Sequence, residues 1–416
     1  ANLSEVMDAK PTTNIANAPT LQKSTKVPGQ VQWDDLYDLA SITKVSTAGL
    51  AVMQLMSEGK FDLDEKYGTY FDAFKGTDKA DMTFRNLLTH RAGLKAWIPF
   101  WMNCIDSVKR ALALHPEWED DYIKEVRPKT FWDKLFGRKA KTSINYARTL
   151  AEVPGIWKKT LSPASIMWHP GIFSSTKSDR FNVEIADTLF MAQDRMDYIF
   201  TQIKNSPVNP SQGYVYSDLH YYAYPIFMEK LTGKKWEDYL KETYQGLGAY
   251  SLTYNPRRFY GLDKIVPTEK DTLFRKTLIH GRVHDEGAGM LQGISAHAGL
   301  FGNANDLLKL MQMYLQKGYY GGKQYIQPQV LDEVTSYQFP DEGNRRAIAF
   351  DKLDFDKKVA NGPQRASEKS YGHSGFTGTF TWVDPKYDLV YVLLSNRVYP
   401  TRDNFKISTL NLRTAV

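Results

Sequence analysis

Hydrophobic positions in the first three quarters of the chain recur mainly at helical spacing. In the stretch DLASITKVSTAGLAVMQLM, residues 38–56, apolar side chains recur every three or four positions toward its end, which predicts a helix from Ser41 to Gly59. The same spacing, with Thr, Ser or Asn at the start or Gly at the end, predicts three further helices, over residues 83–94, 217–233 and 303–318.

The pattern changes near the end of the chain. The stretch GTFTWVDPKYDLVYVLLSN, residues 378–396, holds two β-rich runs around the turn DPKYD and predicts a hairpin. RAIAFDKL, residues 346–353, is predicted as a third strand. The fold class expected from this order is α/β of the α+β kind, with a C-terminal antiparallel sheet.

The domain organisation predicted from these patterns is a single domain over residues 1–416. Its 45–330 part is mainly helical and includes an insertion at about 97–210, rich in Trp, Lys and Pro, that would form a lid or a cleft wall. Its 331–416 part carries the sheet. A hydrophobic content of 42% is enough for a large core.

Charge and composition exclude several functions. The net charge of +6 comes from 53 basic and 47 acidic residues, so the two signs are interspersed and nucleic acid is not expected as a partner. The basic run at 134–141 is interpreted as a solvated loop. No apolar stretch approaches the ~18 to 20 residues that a membrane helix needs. Cys104 is the only cysteine, which excludes an intrachain disulfide.

Candidate chemistry begins with Ser41 and Lys44, one turn apart where the first long helix starts. Ser41 as a plain N-cap with Lys44 in solvent is the structural alternative. S-x-x-K also occurs at 57–60 and 174–177, but only Ser41 lies at a helix start, near the positive end of the helix dipole. A lysine on the same face can activate a serine hydroxyl, or tune a second base.

Two later segments add polar groups in a fixed order. GYVYSDLHYY places Tyr216 and Asp218 before a predicted helix, and YGHSGFTGTF places His373, Ser374 and Gly375 before the predicted hairpin. The series S-x-x-K, Y-x-[ND], [KH]-[ST]-G resembles the motifs of the penicillin-recognising serine hydrolases, a superfamily of class C β-lactamases, DD-peptidases and esterases. The stretches LLTHRAGL, KLTGKKWEDYL and VHDEGAGMLQGISAHAGLFGNANDLLKL are similar to the module that some bacteria carry fused to a family 3 glycoside hydrolase.

This resemblance implies a β-lactamase/transpeptidase-like fold, in which helices and a helical subdomain flank an antiparallel sheet. It implies that Ser41 attacks a carbonyl, that Tyr216 as phenolate accepts the proton with Lys44, and that an acyl-enzyme is then hydrolysed. The N–H groups of Ser41 and Phe376 would form the oxyanion hole. Neither a cofactor nor a metal is implied. The resemblance also implies a location outside the cytoplasm, in the periplasm or after secretion, although the chain starts without a signal-peptide pattern.

Two positions depart from the usual motifs. His373 stands where β-lactamases commonly carry a lysine, and a histidine in water titrates near ~6.5. A permanent cation for the carboxylate of a β-lactam is therefore lost, which makes β-lactamase activity less expected. Asp218 replaces an asparagine, and its charge would pair with Lys44 or favour a cationic amine on the substrate. The expected substrate is therefore a cell-wall-derived D-amino-acid peptide or a small ester, with a β-lactam less favoured.

Residues 1–32 motivate a second hypothesis. They show no β-rich run, so the two strands that usually precede the nucleophile are expected to be missing. The sheet would then present an open edge that another chain or a fused domain fills. A degenerate, non-catalytic member acting as a binding module is the alternative function.

Other histidines are interpreted structurally. His280 and His284 have i, i+4 spacing, but Gly281 and a weak helical pattern favour a loop over a zinc site. His90 and His297 are expected to be structural as well.

Overall fold

A computed structural model describes residues 30–101, 104, 171–209, 213–272, 274–359 and 361–415. The expectations for residues 1–29, for the basic run at 134–141 and for much of the 97–210 insertion lie outside the described residues. Among the described residues, no helix combines the length and apolarity that crossing a bilayer requires.

The elements of the described part alternate between short helices and short strands. The α-helices are α1 (Ile42–Ser46), α2 (Ala48–Ser57), α3 (Tyr67–Tyr70), α4 (Phe84–Leu88), α5 (Asp194–Asn205), α6 (Tyr224–Thr232), α7 (Trp236–Gly246), α8 (Glu286–Met290), α9 (Ala304–Leu315), α10 (Pro328–Thr335) and α11 (Lys406–Thr409). Short 3₁₀ turns cover Asp72–Phe74, Leu219–Ala223, Pro256–Arg258, Leu262–Lys264 and Pro340–Glu342.

The strands of the described residues form five small antiparallel sheets. They are β1 (Tyr37–Asp38), β2 (Phe173–Ser174), β3 (Phe181–Ala186), β4 (Leu189–Ala192), β5 (Thr253–Tyr254), β6 (Pro267–Asp271), β7 (Thr277–His280), β8 (Leu300–Gly302), β9 (Tyr319–Tyr320), β10 (Lys323–Gln324), β11 (Tyr371–Ser374), β12 (Phe380–Asp384) and β13 (Leu389–Leu393). Their orders are β1-β8-β5, β2-β4-β3, β6-β7, β10-β9 and β11-β12-β13. The 45–330 part thus contains several strands beside its helices.

The helix predicted from Ser41 to Gly59 consists of two helices. Thr47, with φ −125° and ψ −79°, separates α1 from α2. Its hydroxyl donates to the Thr43 carbonyl oxygen at 2.7 Å. A threonine that bonds back to the preceding turn favours a local bend, which the apolar periodicity alone does not indicate.

Several predicted helix ends are confirmed by their caps. The Thr83 side chain accepts from the N–H of Asn86 at the start of α4, and the Asn303 side chain accepts from the N–H of Asp306 at the start of α9. Gly233 ends α6 in the left-handed region, at φ +71°. The helix predicted over 83–94 is shorter than expected, because α4 ends at Leu88.

The C-terminal hairpin is confirmed, but the strand predicted over 346–353 is wrong. β12 and β13 pair antiparallel, with Trp382 opposite Tyr391. In the 346–353 stretch only Asp351 makes an isolated bridge. Ala349 has φ +62°, which an extended strand does not accept. The third strand is β11, which contains part of the His373-Ser374-Gly375 motif itself.

One continuous core joins the helical part to the C-terminal sheet. Helix α9 packs across β12 and β13, and the buried residues of this cluster include Leu50, Met53, Leu310, Met311 and Val383. The outer edge of β13 pairs with no other described strand. The open edge and its partner therefore stay a prediction.

Close backbone packing inside this sheet yields a first prediction. A Cβ added at Gly372 in β11 would lie 2.1 Å from the Thr381 carbonyl oxygen and 2.4 Å from the Trp382 ring. Overpacking of this kind costs about 1 to 3 kcal/mol. We expect Gly372→Ala to lower the free energy of unfolding by about 2 kcal/mol in urea titrations. Gly213→Ala is the matched control, since no atom of the described residues lies within 4 Å of its added Cβ. Equal losses in the two variants would contradict the expectation.

Candidate active site

The candidate nucleophile follows a tight turn between β1 and α1. Ala40 has φ +48°, an uncommon value for a residue with a side chain, and its N–H donates to Asp38 Oδ1 at 2.8 Å. Ser41 occupies the N-cap position of α1 but makes no side-chain capping bond. Its Oγ accepts instead from Lys44 Nζ at 3.0 Å. The interpretation of Ser41 as a simple cap is therefore wrong.

Lys44 is fully buried and has three acceptors around its ammonium group. Nζ lies 3.0 Å from Ser41 Oγ, 3.1 Å from the His297 carbonyl oxygen and 2.6 Å from Asp218 Oδ1. Burial acts to lower the Lys44 pKa, but the charge of Asp218 and the nearby Tyr216 raise it, and the net pKa lies above its ordinary value. Lys44 is therefore a cation at neutral pH.

Tyr216 lies beside these two residues. Lys44 Nζ is 5.2 Å from the centre of the Tyr216 ring. Burial raises the pKa of the Tyr216 phenol, while Lys44 and Ser41 act to lower it, and burial has the larger effect. The hydroxyl is buried and makes no hydrogen bond of regular geometry with a described group. In the resting site Tyr216 is thus a neutral phenol next to a cation.

The segment after α4 positions the Tyr216-x-Asp218 motif. The Ser217 N–H donates to His90 Nδ1 at 3.1 Å, and the Ser217 hydroxyl donates to the Lys95 carbonyl oxygen at 2.7 Å. The Asp218 N–H donates to the Ala96 carbonyl oxygen at 3.0 Å. His90 therefore contacts the motif directly, as an acceptor. Burial holds the pKa of His90 well below its usual range.

His373 in β11 is buried and uncharged. Its Nδ1 lies 2.8 Å from the Ser374 carbonyl oxygen. Because a carbonyl can only accept, Nδ1 carries the proton and Nε2 is the free acceptor. Burial, followed by the charges of Arg346 and Lys44, lowers the pKa of His373 to about 3. The expected titration near neutral pH does not hold in this buried setting.

The turn after β11 docks on the nucleophile segment. A Cβ at Gly375 would lie 2.0 Å from Thr379 Oγ1 and 2.7 Å from the Leu39 carbonyl oxygen, so glycine permits this approach. The Thr377 hydroxyl donates to the Asp38 carbonyl oxygen at 2.8 Å, and the Thr379 hydroxyl donates to that of Leu39 at 3.0 Å. These bonds fix the third motif beside the first.

Two backbone N–H groups at this junction have no acceptor among the described residues. Neither the Ser41 N–H nor the Phe376 N–H donates to an atom of the described residues. Unengaged N–H groups on two docked turns suit the oxyanion hole predicted from the sequence, which stays a prediction.

All eight predicted site residues border one cavity or lie in its wall. The cavity has a volume of about 690 Å³ and is lined by Ser41, Tyr216, Asp218, His373, Ser374, Gly375 and Phe376, with the buried Lys44 behind Ser41. Aromatic, basic and acidic side chains complete the lining, among them Trp97, Trp101, Tyr222, Arg346, Arg397, Arg402, Arg413, Asp285, Glu286 and Asp351.

Sequence analysis missed the arginines at this cavity. Arg397 Nε donates to the Phe376 carbonyl oxygen at 2.8 Å, and Arg413 Nη2 donates to that of Gly375 at 2.7 Å. Neither arginine forms an ion pair with a described carboxylate, and Arg413 Nε is buried without a partner among the described residues. Burial and the charge of Arg397 lower the pKa of Arg413 to about 10. No short motif in the sequence marks these two positions.

The other histidines considered in the sequence, His280, His284 and His297, bind separate partners. His284 Nε2 lies 2.8 Å from Glu269 Oε2, whereas His280 Nε2 lies 2.6 Å from the Ile265 carbonyl oxygen. His297 connects Asp285, at 2.9 Å, to the Ser295 hydroxyl, at 2.7 Å. Its carbonyl also holds Lys44, so His297 supports the site through its backbone.

The neutral state of His373 gives a prediction for stability against pH. Its folded pKa is about 3, and its unfolded pKa is about 6.5, so the unfolded chain takes up the proton first as pH falls. Stability is therefore full above pH ~6.5 and is lost below it, by up to about 1.4 kcal/mol per pH unit from this group. The His373→Asn variant keeps a side-chain donor at this position, but that side chain cannot titrate. We therefore expect its free energy of unfolding, measured by urea titration, to fall less steeply than that of the wild type between pH 6 and pH 4. Identical slopes would contradict the assignment.

Comparison with known proteins places the chain in a family. The family model described as Beta-lactamase matches residues 17–122 and 169–415. The unmatched stretch between these two ranges lies inside the predicted insertion and is shorter than it.

Two curated relatives match most of the chain. An N-acetylmuramyl-L-alanine amidase of Bacillus subtilis (strain 168) is 26% identical over 391 residues, which cover 89% of this chain and 70% of the relative. A protein of Escherichia coli (strain K12), provisionally described as a D-alanyl-D-alanine carboxypeptidase, is 26% identical over 387 residues. These cover 87% of this chain and 69% of the relative.

Solved structures support the same fold. A penicillin-binding protein homologue from Caulobacter crescentus superposes with a TM-score of 0.51 at 15% identity, over 87% of this chain and 78% of that one. At this identity the likeness establishes the β-lactamase/penicillin-binding-protein fold alone. Because the family model spans well over half of the residues, the chain belongs to the beta-lactamase family, whose relatives indicate hydrolase chemistry.

Proposed function

We propose that this protein is a serine hydrolase that cleaves an amide or ester through an acyl-enzyme at Ser41. The observation that carries the proposal is the 3.0 Å contact between Ser41 Oγ and Lys44 Nζ at the floor of the cavity, with Tyr216 beside both. Such convergence of a hydroxyl, an amine and a phenol from distant segments suits an activated nucleophile.

The proposed reaction follows from this arrangement. Ser41 Oγ forms a bond to the substrate carbonyl carbon while its proton passes to the phenolate form of Tyr216, with Lys44 beside it. The carbonyl oxygen becomes an oxyanion that the N–H groups of Ser41 and Phe376 stabilise. The proton then goes to the leaving amine or alkoxide as its bond to carbon breaks. Water then attacks the carbonyl carbon of the acyl-enzyme and gives its proton to Tyr216. The bond to Ser41 Oγ breaks as Ser41 takes the proton back, which releases the acid.

The substrate class follows from charge and shape. Two arginines that form no ion pair with a carboxylate of the described residues, Arg397 and Arg413, border the cavity next to the proposed oxyanion hole. A substrate carboxylate near the scissile bond would supply the missing anion. A cell-wall-derived D-amino-acid peptide carries such a group, and the names of the two curated relatives favour this class. Action on cell-wall material places the proposed activity outside the cytoplasm.

One observation favours the alternative, a non-catalytic binding module. Lys44 is a cation and Tyr216 a neutral phenol in the resting site, so neither is a free base. A member that binds a ligand in this cavity without turnover would show the same protonation states.

Labelling of the nucleophile separates the two functions. We expect a fluorophosphonate probe to label the wild type, and Ser41→Ala to lose labelling and at least ~1,000-fold of p-nitrophenyl acetate hydrolysis. Ser57→Ala is the matched control, because Ser57 begins another S-x-x-K sequence but bonds to the Met53 carbonyl oxygen, away from the cavity. A folded wild type that is neither labelled nor active would favour the binding module.

The anion preference has its own test. We expect Arg413→Gln to raise KM about tenfold for a peptide substrate with a free carboxylate, because a charge-assisted hydrogen bond is lost. The same peptide ending in a carboxamide should show little change in KM. An equal loss for both peptides would mean that Arg413 only supports the Gly375 turn.

A further inference from the structure

In the resting site the motif residues supply too little positive charge around Tyr216 to stabilise a phenolate there. His373 is neutral, and the charge of Lys44 is balanced by Asp218 at 2.6 Å. Burial raises the pKa of Tyr216. A phenolate at this position therefore needs a further cation close to the ring.

Arg346 is placed to supply that cation. It is 1% exposed, and its guanidinium carbon lies 5.8 Å from the centre of the Tyr216 ring, against 5.2 Å for Lys44 Nζ. Its Nη2 donates to the Ala349 carbonyl oxygen at 2.9 Å. Its Nε is buried and has no partner among the described residues. The group is thus buried and borders the cavity.

The charge of Arg346 is only partly neutralised. Asp351 is its one carboxylate contact among the described residues, at 3.4 Å, and the same carboxylate lies closer to Arg345, at 2.9 Å. A guanidinium stays protonated across the working pH range. Arg346 is therefore a constant positive charge beside Tyr216, unlike His373.

We propose that Arg346 is a positioning residue that stabilises the phenolate of Tyr216, in place of the basic side chain that position 373 lacks. The inference rests on the proposed function, in which this phenolate accepts the Ser41 proton. It acts through electrostatics, with its guanidinium carbon 5.8 Å from the centre of the Tyr216 ring; an opposite charge within about 4 to 6 Å of a group shifts its pKa by about 1 to 3 units. The substrate does not need to touch Arg346.

Other groups also face Tyr216 and must stay unchanged in the test. His90 stacks beside it with ring centres 4.4 Å apart, and the His373 ring centre lies at 6.0 Å. Among the described residues, the titratable or charged groups that interact with Tyr216 are Lys44, Asp218, His90, Tyr221, Arg346 and His373.

The direct test measures the pKa of Tyr216 without substrate. A lower-pKa analogue, 3,5-difluorotyrosine, is incorporated at position 216 and titrated by ¹⁹F NMR. We expect Arg346→Met to raise this pKa by about 1 unit or more, and Arg346→Lys to restore most of the shift. Asp351→Asn should move the pKa the other way, because it removes the carboxylate nearest Arg346. An unchanged pKa in all three folded variants would overturn the inference.

Kinetics supply the second readout. We expect kcat/KM of Arg346→Met to fall about tenfold or more at pH 7 and to approach the wild type as pH rises, since the phenolate fraction recovers. Arg275→Met is the matched control: it removes another buried arginine, paired with Asp271, without a contact to Tyr216. A loss that is uniform across pH would make Arg346 merely structural. Failure of Ser41 labelling would refute the proposed function, while the NMR titration would still decide the role of Arg346.

Discussion

The buried ammonium of Lys44 is the constraint on which the site depends. A buried cation is tolerated only when acceptors surround it, and these come from three distant parts of the chain: Ser41, Asp218 and the carbonyl of His297. Satisfying one charge therefore brings together the turn before α1, the segment before α6 and the segment before β8. The cavity forms where these segments meet.

The charge balance of the site depends on surroundings more than on residue type. Asp218 and His373 both reduce the positive charge near Tyr216, the first by pairing with Lys44 and the second by remaining neutral. A buried arginine from another segment, Arg346, then lies 5.8 Å from the centre of the ring, with its charge only partly neutralised by Asp351. Neighbouring substitutions in such a site are expected to couple, since each changes the field that the others experience.

Local signals in the sequence predicted the local structure well. The hairpin of β12 and β13, the caps at Thr83 and Asn303 and the glycine end of α6 follow from turn and capping chemistry within a few residues. The motif residues were brought to one cavity as the resemblance implied. Arg346, Arg397 and Arg413 could not be predicted, because only tertiary packing brings them there. The false strand at 346–353 arose because the left-handed backbone of Ala349 is invisible to a pattern of apolar letters.

The interruption at Thr47 also determines how the nucleophile is influenced electrically. With α1 limited to five residues, little more than one turn of aligned peptide groups stands behind Ser41. As the proposed nucleophile, Ser41 would then be influenced by discrete neighbours, namely side-chain ions and individual amides, more than by the summed dipole of a long helix. Such a nucleophile is open to tuning through single charge changes in the cavity wall, while the rest of the scaffold stays the same.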